Sequence, residues 1–365
     1  MKKTEEEIKK IAGVYKQYSH KLDQIDQFIY VSIAQKDFVE VAGEKLTGID
    51  DLIDKYVNDL KELSNSVVVY NAVIISIYGS FELYIDEMLK AYIDYMKMRQ
   101  FTFNELPCKL QEKQKSKAAE FINHPGRFIN YGLSVEQVIS NLKGTIIDNE
   151  LSEVTEELLI SHGGNLKTGQ IEDLFNEFGF ENLLAKIKEH RNFKQFSKEC
   201  GIEGGIVNSD KFPLLDTIVE ERNKVAHGWT VENRLSLSVL LSNYIPFFRV
   251  FCEAINDLMV SKVIEDSMHR GELLPFDSII NVWFLDDTIV GINSKEFTLH
   301  VGDILYYSTP DGWNYSFQIN SLMNKKKSRN YIRARNKDVT IGCNVKIKKN
   351  YTIWGAKELC SQTHN

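Results

Sequence analysis

The sequence predicts an α+β protein, in which a mainly α-helical region over residues 1–270 precedes a small β-barrel over residues 274–365. Apolar residues recur every three or four positions through the first region, as they do on one face of a helix. After Gly271 they alternate in short runs between turn residues, which is typical of strands. Residues 271–365 contain 12 Lys and Arg against 9 Asp and Glu, so this part carries +3 and residues 1–270 carry −10 of the total of −7. The two parts therefore differ in charge as well as in periodicity.

The first region is predicted to begin with three long helices. One long amphipathic helix carries apolar residues from Ile8 to Ile33, and the next two span about residues 49–63 and 67–98. The third is apolar on most sides in its first half, so it should lie at the centre of a bundle. Shorter helices are expected between the breaks that follow, which are Pro107, the turn at His124-Pro125-Gly126, and the glycine pairs at 163–164 and 204–205.

Two more helices are predicted at about residues 211–227 and 232–268. The second carries a continuous apolar stripe, and Cys252 within that stripe is interpreted as a core thiol. Pro246 lies in the same helix and has no backbone N–H to donate, so a kink is expected there.

Composition narrows the class of protein. With 43% apolar and 26% charged residues, the chain resembles a soluble globular protein. Its first ten residues lack the apolar run of a secretory signal, and the longest apolar stretch, residues 67–79, is too short to span a bilayer. The five cysteines are widely separated, which predicts reduced thiols rather than disulfides or a zinc site. We therefore expect a cytoplasmic protein with no metal, no other cofactor and no membrane partner.

The region after Gly271 contains eight short runs with the alternation of strands. Acidic and glycine-containing turns separate several of them, for example Pro310-Asp311-Gly312. About 90 residues of such runs predict a small closed barrel. The predicted strands cover residues 279–284, 288–292, 296–300, 304–308, 315–319, 330–334, 338–341 and 344–348.

The segment Leu214–Gly228 carries the most informative chemistry. Arg222 follows Ile218 and Leu215 at helical spacing, so it should lie on the buried face, where a guanidinium is costly unless an anion meets it. Asn223 and His227 are one turn apart, and Gly228 offers a helix end. A histidine can accept the proton of a ribose 2′-hydroxyl, and an arginine can stabilise the charge that develops on the phosphate. The segment thus suits RNA cleavage without a metal.

A structural interpretation of the same residues stays open at this point. His227 could simply interact with the carbonyl end of its helix, and Arg222 could pair with a carboxylate in the core. A second Arg-Asn pair, at Arg191-Asn192, has Phe196 where the histidine would be needed. Residues 163–169 are glycine-rich, but they lack the order of a phosphate-binding loop and no strand precedes them.

The sequence Glu221-Arg222-Asn223-Lys224-Val225-Ala226-His227-Gly228 resembles the Arg-x4–6-His signature of HEPN domains, in the subtype associated with ribonucleases. Two further segments resemble the RiboL-PSP-like HEPN group, namely Tyr78–Tyr84 with its Ser-Phe-Glu stretch and Gly164–Phe180. The resemblance covers about residues 67–265. It implies an α-helical HEPN bundle in which Arg222 and His227 are the catalytic pair and Asn223 is their polar companion.

The resemblance also implies a role for Glu82, which matches an acidic position on a neighbouring helix. Glu82 is expected to orient Arg222 or His227, although it could equally be a buried structural partner of an arginine. Active members of the family usually dimerise with two motifs facing one cleft, so a homodimer is expected. A bacterial toxin or antiphage-defence role, with an antitoxin or defence partner, follows from the family alone.

The C-terminal region is strongly basic over residues 325–349, where ten Lys and Arg accompany one acid, Asp338. A basic face with nearby aromatics suits a phosphate backbone and unstacked bases, although a solvated surface run of charge is an equal alternative. The order of residues 299–307, 319–322 and 339–343 resembles the second-domain barrel of translation GTPases, which implies tRNA or ribosome-associated RNA as the target. The predicted RNA-binding residues are Lys325, Lys326, Lys327, Arg329, Arg333 and Arg335.

The sequence therefore predicts a metal-independent endoribonuclease that cuts RNA by 2′-hydroxyl transesterification. Two alternatives remain. One is a non-catalytic HEPN protein that binds RNA or a nucleotide and regulates a partner. The other is a structural dimer or scaffold, in which Arg222 and His227 belong to a core ion pair.

Overall fold

Three long helices open the chain, as the periodicity predicts. They are α1 (Lys2–Leu46), α2 (Asp51–Ser64) and α3 (Val67–Met98). The computed structural model describes residues 2–46, 48, 51–64, 67–200, 212–228, 234–276, 279–283, 288–294, 297–324, 327–333 and 337–359.

Six shorter helices follow within residues 108–199. Three predicted breaks lie before α4, between α4 and α5 and between α6 and α7, whereas the pair at 204–205 lies outside the described residues. A capping box begins α5, in which Ser134 and Gln137 each donate a backbone N–H to the side chain of the other. Gly179 follows α7 with a φ of +84°, and Pro107 leaves only 3.1 Å to the place that a Cβ would take. The helices are α4 (Cys108–Asn123), α5 (Val135–Ile146), α6 (Glu156–Ile160), α7 (Thr168–Glu177), α8 (Leu183–Glu189) and α9 (Arg191–Glu199).

The last helices are α10 (Pro213–Ala226), α11 (Leu237–Val239) and α12 (Ile245–His269), and one π-helical turn, Leu240–Tyr244, joins the last two. Pro246 explains this turn, because it has no N–H to donate and its ring crowds the carbonyl of the preceding turn. Ile245 donates its N–H to the carbonyl of Leu240, five residues earlier, which widens the helix. The irregularity expected at Pro246 thus takes the form of a π-turn.

The core of the helical bundle forms around α3, in which fifteen of the 32 residues are buried. The Phe81 ring packs against the rings of Phe248 and Phe251, with centroids 5.1 and 6.0 Å away. The Tyr84 hydroxyl donates to the carbonyl oxygen of Cys252 at 2.7 Å. Cys252 is itself fully buried, and burial raises the pKa of its thiol, so the interpretation as a core thiol is confirmed.

Two helical segments are long and apolar enough to cross a membrane by length and composition alone, α3 and Leu237–His269. The core helix of a soluble protein passes the same test. In α3 most of the large apolar side chains are directed into the protein, as the buried positions show.

The chain divides into two compact units, residues 14–254 and residues 1–13 together with 255–365. These limits fall inside α1 and α12, whereas the change from helix to strand comes later, between His269 and Leu273. The predicted domains, 1–270 and 274–365, follow the change in secondary structure, and their independence stays a prediction.

The described strands form three antiparallel sheets, with the orders β1-β11-β5-β6, β2-β3-β10-β7-β8 and β4-β9. The first sheet joins the two ends of the region, because Leu273 pairs with Ala356. The strands are β1 (Leu273–Pro275), β2 (Ile279–Trp283), β3 (Ile289–Ser294), β4 (Thr298–His300), β5 (Ile304–Ser308), β6 (Asn314–Gln318), β7 (Ser321–Asn324), β8 (Lys327–Arg329), β9 (Tyr331–Arg333), β10 (Lys337–Gly342) and β11 (Thr352–Ala356).

The sheets confirm the α+β class. Within the described residues the ladders form three separate sheets, so a closed barrel stays a prediction. Closure depends on pairing between distant strands, which alternation in the sequence does not encode. The strand predicted at residues 344–348 is wrong. The ladder of β10 ends at Gly342, and Ile347 is buried outside any described strand. Strands β1, β7, β8 and β11 were not predicted.

Candidate functional site

The motif helix α10 leaves the protein core along its length. Leu215, Ile218 and Val219 are fully buried, whereas Arg222 is half-buried and His227 is exposed. The predicted buried face is therefore confirmed for its first two turns, while Arg222, expected on that face, is only half-buried and Ala226 is exposed. This gradient places the end of α10, with its polar residues, at the surface of the helical unit.

Arg222 is held by an aromatic ring and an amide. Its guanidinium carbon lies 5.2 Å from the centroid of the Tyr78 ring, a cation–π contact, and Nη1 donates to Asn223 Oδ1 at 3.3 Å. In the part of the chain that the structure describes, no carboxylate forms an ion pair with Arg222. The sequence predicts an anion beside this guanidinium, and among the described residues its partners are instead the Tyr78 ring and the Asn223 amide.

Tyr78 connects Arg222 to Glu82. The Tyr78 hydroxyl donates to Glu82 Oε1 at 3.0 Å and accepts the backbone N–H of Leu166 at 3.0 Å. Burial, together with the carboxylate of Glu82, raises the pKa of Tyr78, although the Leu166 N–H and the Arg222 charge oppose this. The phenol therefore stays protonated at neutral pH. Glu82 thus contacts the tyrosine that lies beneath Arg222.

The segment before α7 runs along one face of α10. Asn165 Nδ2 donates to Asn223 Oδ1 at 2.7 Å, and Lys167 Nζ forms an ion pair with Glu220 at 3.2 Å. Thr168 donates its backbone N–H and its hydroxyl to Asp216 Oδ1, at 2.8 and 2.9 Å.

The three α10 partners in these bonds, Asp216, Glu220 and Asn223, are spaced by four and three residues, so they form one stripe along the helix. His227 is the next position on that stripe. The glycine-rich loop that precedes Thr168 therefore positions the motif residues through Asn165.

His227 ends the motif helix. Its φ and ψ are −86° and 5°, and its N–H donates to the carbonyl of Asn223 at 3.0 Å. Gly228 follows with a φ of +68°, the left-handed conformation that commonly terminates a helix. The imidazole is exposed, so a polynucleotide can reach it.

A second histidine, His162, lies beside this network and was not among the predicted site residues. His162 Nδ1 donates to the carbonyl of Gly164 at 2.6 Å, which leaves Nε2 facing Asp86 Oδ1 at 3.7 Å. That carboxylate oxygen is buried and accepts no hydrogen bond in the described structure. The Asp86 carboxylate raises the pKa of His162, and burial opposes this. The spacing of Tyr78, Glu82 and Asp86 by four residues was the available signal.

Glu221 was also missed as an anchor of the motif. Only 4% of its surface is exposed, and its two oxygens accept bonds from the Tyr70 hydroxyl and from Lys224 Nζ, both at 2.6 Å. Burial and the Glu221 carboxylate raise the pKa of Tyr70. This pairing fixes the rotation of α10 against α3, which directs the adjacent Arg222 towards Tyr78.

The predicted RNA-binding residues of the C-terminal region are described only in part. Lys327 and Arg329 are exposed on β8, and Arg333 is exposed on β9. Lys325, Lys326 and Arg335 lie outside the described residues. Beside the described positions, the exposed ring of Tyr331 stacks against His300 with centroids 6.0 Å apart.

Comparison with known proteins identifies the helical part. The family model described as RiboL-PSP-HEPN matches residues 44–261, which is more than half of the chain and includes α3, the loop of Asn165 and α10. No curated protein matches the chain. Among solved structures, the C-terminal domain of a Geobacillus thermoleovorans protein described as a U32 peptidase is similar at 11% identity. The match covers 22% of this chain and 98% of that one, and its TM-score of 0.19 carries no argument about fold. Because this family model matches more than half of the chain, the chain belongs to the RiboL-PSP-HEPN family.

Proposed function

We propose that this protein is an endoribonuclease that cleaves RNA by transesterification. The 2′-oxygen of a ribose attacks the adjacent phosphorus, a P–O bond forms, and the bond to the 5′-oxygen of the next nucleotide breaks. The products are a 2′,3′-cyclic phosphate and a 5′-hydroxyl. No redox partner or metal is needed to balance the step, since one proton leaves the 2′-hydroxyl and one joins the departing 5′-oxygen.

One observation carries the proposal. Arg222 is half-buried, stacked on Tyr78, and has no carboxylate partner among the described residues, while the exposed His227 ends the same helix. A fixed guanidinium of this kind stabilises the negative charge that develops on phosphate oxygens. His227 accepts the proton of the 2′-hydroxyl. Asn223, held by Asn165 and Arg222, keeps the guanidinium oriented.

Glu82 supports the site through Tyr78. Because the Tyr78 hydroxyl is committed to Glu82 and Leu166, its ring is fixed in position under the guanidinium. A guanidinium already in place has less reorganisation to undergo when the charge on phosphate develops. Glu82 is therefore assigned as a positioning residue. It orients Arg222 indirectly, by holding the Tyr78 ring, rather than by contacting the guanidinium itself.

The test is cleavage of purified RNA by the full chain in EDTA, compared with His227→Ala and Arg222→Ala. Cleavage that resists EDTA, leaves 2′,3′-cyclic phosphate ends and disappears in both variants supports the enzyme. Binding of RNA without cleavage by the wild type supports a non-catalytic regulator instead. If the wild type neither binds nor cuts, a scaffold role replaces both.

The wider biology is proposed from the family and the composition. In a homodimer, the motifs of the two subunits would face one cleft. Two complementary inactive variants that regain activity on mixing would support shared sites.

The basic C-terminal region would direct the enzyme to tRNA or ribosome-associated RNA in the cytoplasm. Arrest of translation on expression in bacteria, relieved by His227→Ala, would support a toxin or antiphage-defence role with an antitoxin or defence partner.

A further inference from the structure

A cleft of about 600 Å³ opens beside the loop that carries His162, between helices α4 and α7. Its size is that of a pocket for a small organic ligand. Ser161, His162 and Gly163 line one end of it, and Asn165, two residues further along, donates to Asn223 of the motif. The cleft therefore adjoins the segment that positions the proposed catalytic residues.

The wall formed by α4 carries a row of lysines. Lys109, Lys113 and Lys117 all line the cleft, and their spacing of four residues places them on one face of the helix, about 6 Å apart along its axis. Lys109 is exposed, whereas the Lys113 side chain is only 9% exposed and forms an ion pair with Glu177 at 2.6 Å. Lys117 pairs with Glu120 of its own helix at 2.9 Å.

The opposite wall, formed by α7, is acidic and polar. Asp173 and Glu177 line it one helical turn apart, with Gln170 one turn before Asp173. Glu112 of α4 lines the cleft beside the lysines, so cations and acceptors are mixed along it. Such a cleft does not suit a bare anion such as inorganic phosphate, because the carboxylates would repel it. A nucleotide strand offers groups of both kinds. Its phosphates are anionic, whereas its 2′-hydroxyls and exocyclic amines donate hydrogen bonds to carboxylates.

We infer that this cleft is a subsite for single-stranded RNA, in which Lys109 and Lys117 contact phosphates and Asp173 accepts hydrogen bonds from ribose hydroxyls or base amines, while Lys113 and Glu177 stay paired with each other. The inference rests on the proposed function, since it takes the substrate of that same site. The strand leaves the cleft past His162 and Gly163, and the next segment of the loop holds the motif. The 2′-hydroxyl contacts give RNA an advantage over DNA of the same sequence.

The experiment measures binding in the non-cleaving His227→Ala protein, so that its outcome does not depend on catalysis. A fluorescein-labelled oligouridylate and its 2′-deoxy counterpart are titrated by anisotropy over a series of salt concentrations. Each lysine that contacts a phosphate contributes about 0.7 to the slope of log Kd against log salt for a single strand. Lys109→Gln with Lys117→Gln should therefore lower the slope by about 1.4 and weaken binding severalfold.

Lys115→Gln is the matched control, because Lys115 is exposed on α4 and does not line the cleft. It should leave slope and affinity at the values of the parent protein. Asp173→Asn should reduce the preference for the oligouridylate over its deoxy counterpart. A double lysine variant with the parental slope overturns the inference, as does a loss in Lys115→Gln equal to that in Lys109→Gln.

The exposed position of Lys109 keeps the test independent of folding, because a single Lys109→Gln variant should retain the parental melting temperature. Failure of this inference and failure of the proposed function are distinguishable. If the wild type cuts RNA but the cleft variants bind normally, the proposed enzyme activity stands and the subsite is rejected. If the protein binds RNA through the cleft without cutting it, the subsite stands and the proposed enzyme activity is rejected.

Discussion

Basic residues in two regions of this protein differ in how their side chains are restrained. In the helical unit Arg222 is stacked on a ring and hydrogen-bonded to Asn223, which Asn165 holds in turn. In the C-terminal sheets Lys327, Arg329 and Arg333 are exposed, and the described structure records no hydrogen bond or ion pair for them.

The contrast separates two uses of positive charge. A fixed cation can match the geometry of a transition state, so its removal affects rate steeply. Unrestrained surface cations attract a polyanion through a diffuse field, so each contributes little and salt screens it. The site should therefore respond to single substitutions, and the C-terminal region should respond gradually to accumulated ones.

The largest effect is expected from His227→Ala. Loss of a general base lowers kcat by about 10²- to 10⁴-fold, and because the side chain is exposed the fold should be retained. Initial rates on a defined oligoribonucleotide, with a melting temperature as the control, measure this. A variant with wild-type kcat would remove His227 from the mechanism.

Arg222→Ala should have the second largest effect, a loss of about 10²- to 10³-fold in kcat, because it removes charge stabilisation in the transition state. Arg222→Lys keeps the charge but not the planar group that stacks on Tyr78, so it should recover only part of the rate. Single-turnover kinetics separate this from binding. Full recovery by lysine would mean that charge alone matters and that the stacked geometry does not.

Tyr78→Phe keeps the ring under Arg222 and removes the hydroxyl that bonds Glu82 and Leu166. The N–H of Leu166 is left without its partner, which should lower the free energy of unfolding by about 1–3 kcal/mol. Activity should fall by less than in Arg222→Ala. Urea denaturation and kcat on the same preparations give both values, and Glu82→Gln, which can still accept the bond, serves as the milder comparison. If Tyr78→Phe has the same free energy of unfolding as the wild type, the hydrogen bonds of the Tyr78 hydroxyl do not stabilise the fold and this prediction is wrong.

The His162 and Asp86 pair predicts a pH dependence of stability. The pKa of His162 is raised by the carboxylate, so its contribution is fully present below the unfolded pKa of about 6.5 and is lost as pH rises through the folded pKa. The difference in unfolding free energy between wild type and Asp86→Asn should therefore be larger at acidic than at alkaline pH. Denaturation curves on both sides of neutrality test the sign, and a difference that grows with pH would refute it.

The smallest effect is expected in the C-terminal sheets. Lys327→Gln or Arg329→Gln should each lower the salt slope of RNA binding by about 0.7 and leave kcat unchanged. Filter binding at several salt concentrations measures this. Asp338→Asn removes an acid on β10, in the same sheet as β8, and should strengthen binding slightly. No response to any of the three would assign the basic residues to solvated surface.

Much of the helical unit could be predicted because its signals are local. The period of α3, the proline that begins α10 and the glycine that follows His227 are each encoded within a few residues. The strands were predicted less completely. The short strand β1 pairs with β11 at the other end of the C-terminal region, and alternation at residues 344–348 produced no ladder there.

Some residues of the candidate site could likewise be predicted from local spacing, and others could not. Arg222, Asn223 and His227 stand within one helix, so spacing alone related them. Asn165 and His162 are separated from that helix by about fifty residues or more, and no period connects them to it. Their place beside the motif comes from the packing of α7 and its preceding loop against α10, as in the bond between Thr168 and Asp216.

By itself the sequence determined the secondary structure of the bundle, the family resemblance and the three motif residues, because each depends on neighbours within a few turns of one helix. The tertiary structure decided what Arg222 contacts, that the Tyr78 hydroxyl bonds Glu82, and that lysines of α4 and carboxylates of α7 line one cleft beside His162. Those relations join residues distant in the chain. They are set by which faces pack together, a property of the whole folded unit rather than of any segment.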